Sequence, residues 1–282
     1  MRKILDGKVV SASVKEKVAK EVAELKKEGI GVGLAVILVG DNPASKIYVA
    51  NKKKACEATG IKSFEYILDE GTTEQELISL IETLNGEENV NGILCQLPLP
   101  AHINEQAVIA AISPEKDVDA FHISNVGRIM VGNFDFLPCT PAGIIEILDY
   151  YKIGIEGKRC VVIGRSNIVG KPMAMLFLHR NGTVTVCHSK TENLKSITKT
   201  ADILVSAVGK AGFVTADMVK EGATVIDVGM NRLEGKLCGD VCFDEVSKKA
   251  GYITPVPGGV GPMTIAVLMK NTLTAAKRQN GR

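Results

Sequence analysis

The run Cys160-Val161-Val162-Ile163-Gly164-Arg165-Ser166-Asn167-Ile168-Val169-Gly170-Lys171-Pro172 decides the fold. An apolar, largely β-branched stretch meets a turn flanked by glycines. Proline then opens a helix, because its missing N–H falls among donors that the first helical turn leaves unpaired anyway. Gly164 lets the chain leave a strand sharply, and Gly170 lets backbone approach a neighbour or a pyrophosphate closely. The helix N-terminus offers N–H groups and the positive end of its dipole. Together these features describe a dinucleotide-phosphate cradle, with glycine spacing that differs from G-x-G-x-x-G. An α/β domain whose glycines serve only as turns has the same local pattern.

Downstream, short apolar runs alternate with stretches long enough to cross back over a sheet. Thr183 to Cys187, Asp202 to Gly209 and Ala223 to Gly229 read as buried parallel strands rich in β-branched residues. Met173 to Arg180 and Thr215 to Lys220 read as crossovers between them. The later half is therefore expected to be a Rossmann-like, doubly wound α/β domain.

The first half is also α/β. A helix from about Ser11 to Lys27 places Val14, Val18, Val22 and Leu25 on one stripe, and the strand Gly33 to Gly40 follows. The turn Asp41-Asn42-Pro43-Ala44-Ser45 leads to a second helix. A strand near Phe64 to Leu68, a helix from about Thr73 to Leu84 and a strand Gly92 to Gln96 complete the pattern. A domain boundary is expected near Leu137 to Gly143, where two prolines and a glycine follow an irregular stretch from Phe121 to Phe136. Two α/β lobes with a cleft between them are the expected architecture, the first spanning residues 1–139 and the second 140–263.

Composition narrows the function classes. The chain has 282 residues, 45% of them hydrophobic, enough for two cores. A formal net charge of +2 gives no sign of a nucleic-acid partner. Seven cysteines without C-x-x-C pairing point to a reducing cytoplasm, and four dispersed histidines supply no metal-ligand cluster. No apolar run has membrane-spanning length, and the first residues lack a signal-peptide core, so no membrane association is expected.

Some polar residues have two readings. Tyr48 and Lys52 are four apart on the second helix and share a face. Lys52-Lys53-Lys54 reads as a solvated basic face, or Lys52 serves as a catalytic lysine whose pKa burial or a nearby cation would lower. Gln96 either hydrogen-bonds that lysine or satisfies backbone at a strand end. In Asp117-Val118-Asp119, the carboxylates either cap local N–H groups or one of them recognises a ligand's N–H donors. Spacing leaves these alternatives open.

Several segments, in order from about Leu5 to the C-terminus, resemble the methylenetetrahydrofolate dehydrogenase/cyclohydrolase (FolD-type) family. They are Tyr48 to Lys52, Gln96 to Pro100, Pro114 to Asp119, Pro138 to Pro141, Gly164 to Pro172, Cys187 to Thr191 and Pro255 to Thr264. The resemblance implies a homodimeric cytoplasmic enzyme. It would oxidise 5,10-methylenetetrahydrofolate to the 5,10-methenyl form with NADP, then hydrolyse that product to 10-formyltetrahydrofolate. By position, Lys52 would be the general acid/base, Tyr48 would stack on the folate, Gln96 would tune the lysine, and Asp119 would bind the pterin edge. Leu97, Pro98, Pro255, Gly258 and Gly259 would complete the folate pocket. Gly164, Arg165, Ser166, Ile168, Val169, Gly170, Pro172, His188, Ser189 and Thr264 would hold the cofactor. The last helix, over 264–282, would return to the first lobe. One position departs from the family's pattern: Ala120 stands where glycine is usual, and a left-handed backbone there would cost roughly 1 to 2 kcal/mol.

The residues also bear on the cofactor. Where NAD-binding folds place an acidic residue against the ribose 2′-hydroxyl, this chain has His188-Ser189-Lys190, and Arg165 lies in the phosphate turn. A cation and a hydroxyl there suit the 2′-phosphate of NADP, with Arg165 and Ser189 as its ligands. A monofunctional or NAD-dependent dehydrogenase would share the same turn. A binding protein without turnover would be expected to lack Lys52 or Asp119, and both are present.

Overall fold

The computed structural model describes residues 3–233 and 235–282, and strand and helix alternate along nearly the whole chain. In chain order the elements of the first half are β1 (Lys3–Ile4), α1 (Gly7–Lys27), β2 (Gly33–Val39), α2 (Pro43–Thr59), β3 (Lys62–Leu68), α3 (Glu74–Gly86), β4 (Gly92–Cys95), α4 (Glu105–Ala111) and α5 (Ile123–Val131). Then follow α6 (Cys139–Tyr150), β5 (Arg159–Ile163), α7 (Gly170–His179), β6 (Thr183–Cys187), α8 (Leu194–Thr198) and β7 (Ile203–Ser206). The chain continues with β8 (Thr224–Asp227), β9 (Asn231–Leu233), β10 (Lys236–Cys238), α9 (Phe243–Val246), β11 (Tyr252–Ile253) and α10 (Gly261–Gln279).

Two units result. Ala12–Leu137 with Ile265–Arg282 form one, built on a parallel three-stranded sheet of order β3-β2-β4. Its middle strand, β2, is buried along its whole length, as an unbroken apolar run on both faces of a covered sheet requires. Leu77, Ile81 and Leu84 of α3 pack on it with Ile93 and Val108. Helix α3 starts where Thr73 and Glu76 close a reciprocal capping box. The stripe of α10 belongs here too: Leu268, Met269 and Thr272 are buried, and Met269 Sδ lies 3.7 Å from Cys56 Sγ. Asn271 Nδ2 donates to the carbonyls of Val118 (2.8 Å) and Leu137 (2.9 Å).

The segment up to Ser11 with Pro138–Thr264 forms the other unit, on an all-parallel six-stranded sheet of order β1-β11-β8-β7-β5-β6. Strand β6 pairs on one side of β5 and β7 on the other. The chain therefore reverses its direction of winding at the C-terminal end of β5, where a doubly wound sheet opens toward a ligand.

Several details differ from the sequence reading. The first residues join the six-stranded unit because β1 pairs in parallel with β11 (Lys3 with Tyr252, Ile4 with Ile253), and a two-residue strand is too short to show a period. Helix α1 begins at Gly7 rather than Ser11, since Asp6 Oδ1 accepts from the N–H groups of Lys8 (2.8 Å) and Val9 (3.4 Å). The stretch expected to be irregular contains α5. Its Ile123, Met130 and Val131 are exposed, so no buried stripe betrays the helix; His122 caps it and Gly132 ends it in a left-handed conformation. The prolines at the expected boundary sit at the N-cap and in the first turn of α6, where they do not interrupt it. Thr215 to Lys220 holds only a single 3₁₀ turn, Ala216–Met218. Strand β6 is an edge strand with Thr185 and Val186 exposed, not a buried one.

Ala120 has φ +57 and is fully buried, so the left-handed backbone is real. Its cost of roughly 1 to 2 kcal/mol is offset in part by about 0.8 kcal/mol from burying the methyl group. The carbonyl of Asp117 accepts from Ala120 N at 3.1 Å and holds the turn.

Candidate active site

The polar groups of the three-stranded unit converge at the C-terminal end of β4. Gln96 follows that strand, and its N–H donates to the Ile37 carbonyl at 2.8 Å, which extends the pairing with β2 by one residue. Its side-chain amide donates from Nε2 to the Leu97 carbonyl at 2.6 Å, which leaves Oε1 to accept. Lys52 Nζ donates to that oxygen at 2.7 Å. The three consecutive lysines therefore separate: Lys52 is half-buried against Gln96, whereas Lys53 and Lys54 are exposed and Lys53 pairs with Glu65 of β3 at 3.1 Å. Tyr48 lies one turn earlier on α2 and is 37% exposed. Leu97 and Pro98, joined by a cis peptide bond, continue from Gln96.

The two aspartates have different surroundings. Asp117 is buried, accepts from His122 N at 2.8 Å and Asn125 Nδ2 at 2.9 Å, and so fixes the entry to α5. Burial pushes its pKa up. Asp119 is half-buried. Its charge and that of Lys52 both act on the Cys95 thiol, which burial pushes up to about 12, with Asp119 and Glu105 adding to the rise and Lys52 opposing it. Lys52, Gln96 and Asp119 thus surround one strand end, and Cys95 beneath them stays a thiol.

In the six-stranded unit the glycine turn follows β5. Gly164 has φ +127, and a Cβ there would stand 2.4 Å from the Ala207 carbonyl oxygen. A Cβ on Gly170 would meet the Gly164 carbonyl oxygen at 2.2 Å, so helix α7 starts directly on the turn. Ser166 Oγ accepts from Val169 N (3.1 Å) and Gly170 N (3.3 Å). Two N–H groups expected to be open are therefore already tied to Ser166. Arg165 and Ile168 are exposed, Pro172 is buried in α7, and among the described residues Arg165 forms no ion pair. At the neighbouring end of β6, His188 N donates to Thr191 Oγ1 at 2.8 Å, and Ser189 is exposed.

Pro255, Gly258, Gly259 and Thr264 also lie in this unit. Gly7 N donates to the Gly258 carbonyl at 2.9 Å, and Thr264 Oγ1 donates to the Gly261 carbonyl at 2.8 Å. Sequence reasoning passed over the buried carboxylate of Asp227 at the end of β8. It accepts from the N–H groups of Gly229, Asp240 and Val241, each at 2.9 Å. An aspartate closing an apolar strand was the signal available.

Comparison with known proteins places this geometry. Residues 5–119 match the tetrahydrofolate dehydrogenase/cyclohydrolase catalytic domain, and residues 138–280 match the NAD(P)-binding domain of the same family. The bifunctional protein FolD of Acetivibrio thermocellus is 62% identical over 278 residues, 98% of each chain. The crystal structure of the FolD methylenetetrahydrofolate dehydrogenase/cyclohydrolase of Campylobacter jejuni superposes with a TM-score of 0.97 at 54% identity, covering 99% of this chain and 100% of that one. The Trypanosoma brucei dehydrogenase-cyclohydrolase, solved with NADP and an inhibitor, gives 0.95 at 40% identity over 100% and 99% of the two chains.

Burial, with Asp240 nearby, pushes the Asp227 carboxyl up to about 6, against the three hydrogen bonds it accepts. A folded-state value above the unfolded one means that the folded chain binds the extra proton, so this group's contribution to stability is full below about pH 4 and is lost as pH rises through about 6. Relative to Asp227→Asn, the parent is expected to lose about 2 kcal/mol between pH 4 and pH 7, read from urea unfolding midpoints. A difference that stays flat across that window would contradict the assignment.

Proposed function

The chain belongs to the tetrahydrofolate dehydrogenase/cyclohydrolase family, and from that membership we infer a bifunctional enzyme of one-carbon folates. It oxidises 5,10-methylenetetrahydrofolate to the methenyl form with NADP and hydrolyses that product to 10-formyltetrahydrofolate. The observation that supports this most directly is the 2.7 Å hydrogen bond from Lys52 to Gln96 at the end of β4.

The two steps ask different things of the protein. In the first, the cofactor, when bound, takes a hydride from the methylene carbon. The two flanking nitrogens stabilise the cation that remains, so alignment matters and no base is needed. In the second, water attacks the methenyl carbon and gives up a proton, the bond from that carbon to N5 breaks, and N5 gains a proton; the second hydroxyl proton leaves as the formyl group forms. One group that accepts and then returns a proton serves both events. We assign this role to Lys52, with Gln96 fixing the direction of its Nζ, Tyr48 stacking on the folate, and Leu97 and Pro98 flanking it. Asp119 accepts from adjacent N–H donors of the pterin, a charge-assisted pair stronger than a neutral one. Pro255, Gly258 and Gly259 are assigned to the folate as well.

The dinucleotide turn fits NADP on its own terms. Gly164 and Gly170 leave no room for side chains, which brings backbone to the surface of the turn. Arg165 and Ser189 are exposed, and His188-Ser189-Lys190 directly after β6 contains no carboxylate. Arg165 and Ser189 would hold the 2′-phosphate, with Ser166, Ile168, Val169, Pro172, His188 and Thr264 shaping the rest of the site. A homodimer completes the proposal: the outer edge of β6 carries exposed Val186 and pairs with no strand among the described residues, and such edges favour being covered. Light scattering should give twice the chain mass; the mass of a single chain at micromolar concentration would refute the dimer.

Lys52→Met keeps an unbranched side chain but removes the ammonium. Hydration of methenyltetrahydrofolate should fall by about 100- to 10,000-fold while the dehydrogenase falls less, so methenyl product accumulates. A lysine of the solvated face would leave both within about twofold. Asp119→Asn, assayed in parallel, should depress both reactions because they share one folate site.

Arg165→Ala should lower kcat/KM for NADP by about 10- to 100-fold, the scale of a lost charge-assisted contact, and leave NAD nearly unaffected. An unchanged ratio between the two cofactors would remove Arg165 from the site.

A further inference from the structure

Behind the glycine turn of the six-stranded unit stands a carboxylate that the chemistry above does not use. Asp240 is fully buried. Its oxygens accept from three successive backbone N–H groups, those of Val208 (2.8 Å), Gly209 (3.2 Å) and Lys210 (2.9 Å). Ser206 Oγ (3.2 Å) and Asn231 Nδ2 (3.0 Å) donate to it as well. Five donors saturate a carboxyl group, which has about four lone-pair positions.

These donors belong chiefly to one place. Val208, Gly209 and Lys210 form the loop that follows β7, and Ser206 is the last residue of that strand. The intervening residue, Ala207, is the one whose carbonyl oxygen excludes a side chain at Gly164. Asp240 is itself fixed from the far side. Asp227, at the end of β8, accepts from the N–H groups of Asp240 and Val241. A chain of hydrogen bonds thus runs from the end of β8 through Asp240 to the loop after β7 and reaches the turn after β5. Those three strands flank the point where the sheet reverses its winding.

We propose that Asp240 is a positioning residue for the dinucleotide, holding the loop Ala207–Lys210 in the shape against which the Gly164 turn is built. It touches no reacting atom. Its three backbone donors point into the protein, so the loop keeps one conformation before the cofactor arrives, and binding does not have to order it. The inference rests on the dinucleotide reading of this unit. It predicts an effect on NADP and none on a step without redox chemistry.

The test uses the full chain and two readouts: NADP binding by calorimetry, and hydration of 5,10-methenyltetrahydrofolate, which needs no NADP. In Asp240→Asn an amide N–H₂ faces backbone donors, and the Kd and KM for NADP should rise by about tenfold or more, while hydration stays within about twofold of the parent. Ser206→Ala removes one donor of five and should raise the Kd by roughly two- to fivefold. If Asp240→Asn does not fold, Ser206→Ala and Asn231→Ala decide the matter: NADP affinity unchanged in both overturns the proposal. Parallel loss of NADP binding and hydration in a folded Asp240→Asn also overturns it, since that marks general destabilisation. A parent chain that fails to bind NADP would sink the dinucleotide reading together with this one, whereas parent binding with unaltered variants sinks this one alone.

Discussion

The carbonyl oxygen of Ala207 lies where a side chain at residue 164 would begin. Much in the six-stranded unit follows from that close approach. β5 and β7 are neighbours, so the chain leaving β5 has only the width of a peptide in which to turn, and glycine with φ +127 is the residue that can do so. Helix α7 then starts against the same turn, which is why Gly170 is the second fixed position. A parallel sheet that changes its winding direction here leaves its strand ends uncovered by crossovers, and backbone without side chains becomes the surface offered to a ligand.

The three-stranded unit uses the same geometry for different chemistry. Its strand end carries a glutamine whose amide is held by the next carbonyl, and the glutamine in turn holds a lysine. Neither group is deeply buried. The hydrogen bond to Gln96 Oε1 fixes the direction of the Lys52 Nζ at that strand end. Asp117, two residues from Asp119, shows the alternative fate of an acidic group: buried, saturated with donors and structural.

Buried carboxylates recur as organisers of backbone in this chain. Asp117 gathers the start of α5, Asp227 gathers the segment at Asp240, and Asp240 gathers the loop after β7. Each accepts N–H groups that irregular backbone could not pair within a helix or sheet. Among the described residues no buried side-chain polar atom lacks a partner.

What the sequence by itself determined follows from short-range pattern. The glycine turn, the apolar strands and the stripe of α1 are legible because a period or an unbroken apolar run persists across them, and the motifs containing Lys52, Gln96 and Asp119 are legible as a resemblance. Elements without a buried stripe were hidden: β1 is two residues long, and α5 leaves Ile123, Val126, Met130 and Val131 exposed. Only the tertiary structure gave neighbouring residues different surroundings. Lys52 was separated from Lys53 and Lys54 by a contact across 44 positions, and Asp117 from Asp119 by which of them the loop before α5 encloses. Asp240, 32 residues from the Val208 N–H group that it binds, left no local trace at all. Spacing reports what neighbours along the chain can share, and a hydrogen bond between distant segments exists only once packing has brought them together.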